Sequence, residues 1–155
     1  MMWPRLAILP GIMLSFGTAF GAVPCDLANP AQTRLEISVS GMRTTKGRIT
    51  ISIYPDIADE FMKGPYKIGQ LHLPVLLPVT RTCFVVPAPG FYGVALFGDE
   101  LSNNHFETTG LGLPAEGYGF SNNPRLYFGP PGLARVRFRA HPGDNQVDIR
   151  MQYYP

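Results

Sequence analysis

The chain has 155 residues, of which 15% are charged and 12% aromatic, and its formal net charge is +2. That length suits one domain, and a balance so near neutral lacks the field that steers a protein onto nucleic acid. Its two cysteines have no C-x-x-C spacing, so neither dithiol redox chemistry nor a cysteine zinc site finds support.

The N-terminus reads MMWPR and then the apolar run LAILPGIMLSFGTAF, closed by Ala19-Phe20-Gly21. A cationic start, an apolar stretch and small residues at its end are the parts of a secretory signal, so residues 1–21 are expected to be cleaved after Gly21. The competing reading is a retained anchor. The run is short for a span of ~20 residues, and Pro10-Gly11 interrupts it. A lipid on Cys25 is disfavoured, because Val23-Pro24 is not the small pair such a site takes. The expectation is an exported chain, periplasmic or extracellular, with no transmembrane segment after cleavage. Residues 22–155 then form a single domain. Cys25 and Cys83 both fall in that part, and an oxidising compartment favours a disulfide between them over two separate buried thiols.

Period-two alternation follows in chain order. RLEISVS (34–40) puts Leu35, Ile37 and Val39 on one face, and RITISIY (48–54) does the same with Ile49, Ile51 and Ile53. The glycine-bracketed GMRTTKG (41–47) between them reads as a hairpin turn. Residues 55–69 are polar and turn-rich, with room for one helical turn between Asp56 and Met62. LHLPVLL and RTCFVVP are short strands, the first an edge strand because of Pro74 and Pro78. FYGVALF (91–97) is apolar on both faces and reads as central. ARVRFRA (134–140) and QVDIRMQYY (146–154), joined by HPGDN (141–145), read as a closing hairpin. About seven strands with no long helix predict an all-β fold, a single antiparallel sandwich of transthyretin-like or immunoglobulin-like type. Residues 98–132 form a long connection, and its aromatic residues argue for order.

Gly41 and Arg43, the strand PGFYGVALF, and then Gly112, Pro114 and EGYGFSNN (116–123) carry a family signal. On these the chain resembles the domain of unknown function 2141 family of small exported bacterial proteins. The resemblance covers nearly the whole chain after residue 21. It implies an exported β-sandwich and supplies no activity. It also implies a loop of the form Asp-x-Asn-x-Asn-Gly-x-x-Asp after the central strand, a spacing that suits calcium. Here Asp99 and Asn103 match. Leu101, Asn104 and Glu107 stand where asparagine, glycine and aspartate are usual. Asp99, Asn103 and Glu107 are therefore the metal candidates. The alternative is that Asp99 and Asn103 close turns with their own side chains.

No nucleophile motif accompanies His72, His105 or His141, and all three read as exposed histidines. Arg135, Arg137 and Arg139 form a basic row, either a solvated face or a contact for an acidic glycan or lipid headgroup, with Asp148 opposite on the last hairpin. In 110–133 the glycines and prolines restrict the backbone, and Tyr118, Phe120, Tyr127 and Phe128 are expected to anchor it. Gly117 and Gly119 are expected to reverse the chain. Glu116, Tyr118, Phe120, Asn122 and Asn123 are the residues of this segment taken to anchor the loop or line a ligand surface, making it a lid over the sandwich or a shaped contact. The functional expectation is a non-enzymatic binding or structural module with no cofactor. Its partners are unassigned, an envelope glycan or protein being the kind envisaged. The alternatives are a calcium-stabilised recognition module for glycan or peptide, and a hydrolase using carboxylates such as Asp99 and Glu116.

Overall fold

The computed structural model describes Cys25 and residues 29–155. The expected signal at 1–21 lies outside the described residues. Eight strands form two sheets packed face to face: β1 (Thr33–Ser40), β2 (Arg48–Pro55), β3 (Gly69–Pro74), β4 (Val79–Val86), β5 (Gly90–Asp99), β6 (Tyr118–Phe120), β7 (Phe138–Ala140) and β8 (Gly143–Arg150). One sheet has the order β4-β1-β8, and the other β3-β2-β5 with β6 and β7 end to end along the far edge of β5. The fold is the expected all-β sandwich, with β5 central and β3 at an edge. Among the described residues no helix is long and apolar enough to cross a membrane.

The dry faces lie where alternation places them. Leu35, Ile37 and Val39 of β1 meet Ile49, Ile51 and Ile53 of β2, joined by Val94 and Leu96 of β5 and Val147 and Ile149 of β8. Pairing departs from expectation twice. β1 and β2 are not a hairpin: residues 41–47 cross from one sheet to the other, and β1 pairs antiparallel with β4 and parallel with β8. Nor is there a closing hairpin. Leu133–Val136 is a single helical turn, α1, and β7 pairs with β5 while β8 joins β1 across the sandwich. Alternation specifies which face of a strand is buried, and it is silent on the neighbour. Arg135, Arg137 and Arg139 therefore form no row on one strand. Arg137 pairs with Asp56 at 2.8 Å, and Asp148 lies beside Ser38.

A second apolar layer covers the outer face of the β2–β5 sheet. Tyr54 and Ala95 on that face pack with Phe61, from the 3-10 segments of 55–68, and with Phe120, Leu133 and Val136. Tyr54 and Phe61 meet edge to face with ring centroids 5.2 Å apart. Thr50 and Ser52, which alternation points outward, are buried under this layer or beside β3. They hydrogen-bond with His72 Nδ1 at 3.0 Å and Gln70 at 3.2 Å. This explains why β5 is apolar on both faces: one side faces the inner core and the other faces the cover. A disulfide joins Cys25 to Cys83 on β4, with Cα atoms 5.9 Å apart, and so ties residue 25 to the sandwich.

Candidate functional site

The long excursion expected at 98–132 divides into two ordered parts separated by β6. The first, from the end of β5 to Gly117, is built around two buried carboxylates. Asp99 closes β5 directly opposite Arg48, the first residue of β2. Its side chain is 0% exposed. Oδ1 accepts the N–H of Asn103 at 2.9 Å, and Oδ2 accepts the N–H of Asn104 at 2.9 Å and Arg48 Nε at 3.0 Å. Arg48 also donates to the Ser102 carbonyl and to Asn104 Oδ1. Ser102 and Asn104 hold the left-handed backbone this tight wrap requires. Burial alone would push the Asp99 carboxyl up, but the donors of Asn104, Arg48 and Asn103 outweigh it and hold the group below the ordinary carboxylate range. The chain before β2 also comes close. At Gly47 a methyl group would overlap the Asp99 carbonyl.

Glu116 does the same work from the other end. It is 4% exposed, and its two oxygens accept the N–H groups of Glu100 at 2.8 Å and Glu107 at 3.0 Å. Asn103 donates to Glu107 Oε1 at 2.7 Å and accepts the His105 N–H at 2.9 Å. Of the metal candidates, Asn103 thus bonds to both Asp99 and Glu107, and Asp99 already faces a guanidinium and two amides. Arg43 closes the rim, donating to Glu100 at 2.9 Å and to the Ala115 carbonyl at 3.2 Å, with its guanidinium 4.7 Å from the centre of the Tyr153 ring. Its own N–H donates to the Tyr153 hydroxyl at 2.9 Å. Residues 108–114 fold into a small hairpin whose tip, Leu111, is 87% exposed.

The second part explains EGYGFSNN residue by residue. Gly117 and Gly119 do not reverse the chain. They alternate with Tyr118 and Phe120 through β6, and their bare faces lie against β8 and the residues after it. A methyl group on Gly117 would sit 2.6 Å from the Tyr153 ring, and one on Gly119 would sit 2.7 Å from Ile149. On the opposite face Phe120 is 4% exposed in the outer apolar layer, and half-buried Tyr118 packs beside it and against Phe106. Backbone bonds between Tyr118 and Gln152, of 2.9 and 2.7 Å, join the two sheets along this side. Ser121 is buried. Its hydroxyl accepts the Val94 N–H at 3.0 Å and donates to the Val136 carbonyl at 2.6 Å. Asn122 donates to the Arg137 carbonyl just past α1, at 2.8 Å. Asn123 treats β8 as a strand partner, donating to the Asp148 carbonyl at 2.8 Å and accepting the Arg150 N–H at 2.7 Å. Both asparagines hold positive φ, which their short side chains tolerate.

Tyr127 and Phe128 are not anchors. Tyr127 is 74% exposed and Phe128 99%. Leu126, Leu133 and buried Pro131 hold this turn down in their place. His105 and His141 are exposed as expected. His72 is exposed as well, on the edge strand β3, and partial burial of its ring and the charge of Arg48 hold its imidazole below the usual value. Sequence reasoning missed Arg48 and Ser121. Arg48 is legible only once β2 is paired with β5, and a lone serine in a polar run carries no signal. A polar groove of about 420 Å³ lies between the β7 and β8 edges, lined by Asn122, Arg139, Asp144, Gln146 and Asp148 among others.

No curated protein and no solved structure matches the chain. A family model described as "Uncharacterized protein conserved in bacteria (DUF2141)" matches residues 37–148, the stretch that runs from β1 through the carboxylate-stapled loop and the β6 motif to β8, and the chain belongs to that family.

Proposed function

We propose that the protein is a non-enzymatic binding module working outside the cytoplasm, with the excursion 98–132 as a pre-formed contact surface. The observation that carries this reading is the use to which Asp99 and Glu116 are put. Each places both carboxylate oxygens on backbone N–H groups of the loop, and Asp99 adds Arg48. A general acid or nucleophile needs an oxygen turned toward substrate. Here the oxygens shape the backbone. The loop they shape holds Leu101 and Leu111 in solvent at 69% and 87% exposure, and holding apolar side chains out on an ordered frame is what a contact surface needs. The Cys25–Cys83 disulfide suits an oxidising compartment.

The test is capture from the protein's own cell envelope, with and without chelator. A partner retained by the wild type in chelator, and lost by Leu101→Ser/Leu111→Ser, supports the reading. Capture abolished by chelator would favour the calcium-stabilised alternative, and hydrolysis of an envelope glycan or peptide that Glu116→Gln abolishes would favour the enzyme.

A further inference from the structure

The turn between β6 and α1 departs from ordinary surface economy. Phe128 is 99% exposed and Tyr127 74%, side by side, while the residues around them are pegged down. Leu126 packs on the outer apolar layer from one side, and Pro131 and Leu133 are buried on the other. Gly129 at φ +72° with Pro130 and Pro131 restricts the backbone between them. Two arginines stand at the base. Arg135 donates to the Arg125 carbonyl at 2.6 Å, and both residues are exposed. Neither guanidinium forms an ion pair with a carboxylate among the described residues.

We infer that this tip inserts into an anionic bilayer surface, with Tyr127 and Phe128 entering the headgroup–acyl boundary and Arg125 and Arg135 meeting lipid phosphates. The inference narrows the contact surface proposed above to one partner for one part of it, and rests on that reading. Area argues for lipid over protein. Two aromatic side chains offer roughly 150–250 Å² each, well short of the ~800 Å² per partner of a stable protein interface. A bilayer sets no such minimum. Aromatic residues settle at its interface, and each arginine near an anionic surface adds about 1 kcal/mol of attraction. A rigid turn also enters without losing much conformational freedom.

Trp3 is the only tryptophan in the chain and falls within the expected signal, so Phe128→Trp, with Trp3→Phe wherever residues 1–21 are kept, leaves one indole, at the tip. Because Phe128 touches nothing that folding requires, this variant should keep the wild-type urea midpoint. Vesicles of phosphatidylglycerol and phosphatidylcholine in equal parts should shift its emission to the blue, and lipids brominated on the acyl chains should quench it. Partition should fall about thirtyfold on phosphatidylcholine alone, where both arginines lose their attraction, and about fivefold in an added Arg125→Gln. Emission unchanged by anionic vesicles, or a shift indifferent to lipid charge, overturns the inference. So does a blue shift that grows with protein concentration in the absence of lipid, which would make a second copy the occupant. If the emission is unchanged while envelope capture survives in Phe128→Ser, the lipid inference fails alone and the binding-module reading stands.

Discussion

Replacing Asp99 by asparagine removes one charge and one acceptor from a place with no access to water. The carboxylate takes three donors: the N–H groups of Asn103 and Asn104 and Arg48 Nε. An amide offers one oxygen. Its best placement puts that oxygen where Oδ2 was, keeping Asn104 and Arg48, and turns the NH2 against the Asn103 N–H. Two hydrogen bonds then fall from the charged range of ~1.5–3 kcal/mol to the neutral ~0.5–1.5, and one buried donor is stranded at ~1–3. Arg48 keeps some access to water, which softens the loss. The expected cost of Asp99→Asn is about 3–4 kcal/mol, near that of breaking a buried ion pair. With an m-value of about 2 kcal/mol/M, the urea midpoint at neutral pH falls by roughly 1.5–2 M. The pH dependence has a definite sign. The folded carboxyl lies below its ordinary value, so its contribution is complete above about pH 4 and is lost as pH falls through the lowered folded value. The gap between wild type and variant should therefore close in acid. A loss under about 1 kcal/mol at pH 7, or a gap that widens below pH 4, would refute the account of Asp99 as the staple of the loop.

Phe120→Ala should cost about 3–5 kcal/mol by emptying the outer apolar layer, while Phe128→Ala should leave the urea midpoint within about 0.5 kcal/mol of wild type; equal effects would undo the distinction between anchor and tip. Gly119→Ala should destabilise by roughly 1–3 kcal/mol, since its methyl group must displace Ile149, and an unchanged thermal midpoint would show that β6 does not press on β8 as described. Reducing the Cys25–Cys83 bridge, which closes a separation of 58 residues, should lower stability by about 3–5 kcal/mol, and two titratable thiols in the unreduced protein would refute the bridge. Saturating calcium should leave the thermal midpoint unchanged, because Asp99 already faces Arg48; a rise of several degrees would mean that the cation displaces it.

What the sequence made legible was burial, strand by strand. The isoleucines of β2 and the leucine, isoleucine and valine of β1 face the core as their period requires, and the two-sided apolarity of β5 marks it as central. The neighbours were not legible. β1 pairs with a strand more than one hundred positions away, and no local pattern encodes such a choice. Gly-Tyr-Gly-Phe was misread for a physical reason. Glycine permits turns, but it also permits close approach, and only the position of Ile149 and Met151 shows which is in play. The same limit applies to the aromatic residues of the loop. Phe120 and Phe128 are alike in the sequence, and what separates them is that Ser121 and Asn122 pin the chain next to the first while Leu126 and Pro131 take the buried positions beside the second.

The parallel pairing of β1 with β8 sets the order in which the chain can complete itself. Thr33 lies beside Gly143 and Ser40 beside Arg150, so the middle strand of its sheet waits for its second partner until more than one hundred further residues have been made. Until residues 143–150 arrive, β1 has β4 on one side and an open row of peptide groups on the other, and the inner core lacks Val147, Ile149 and Met151. Folding that depends on contacts so distant in sequence runs on the millisecond-to-second scale of domains ruled by nonlocal pairing. The unfinished chain is thus held back from closing early, and a chain cut before Gly143 would carry a naked sheet edge into contact with its neighbours.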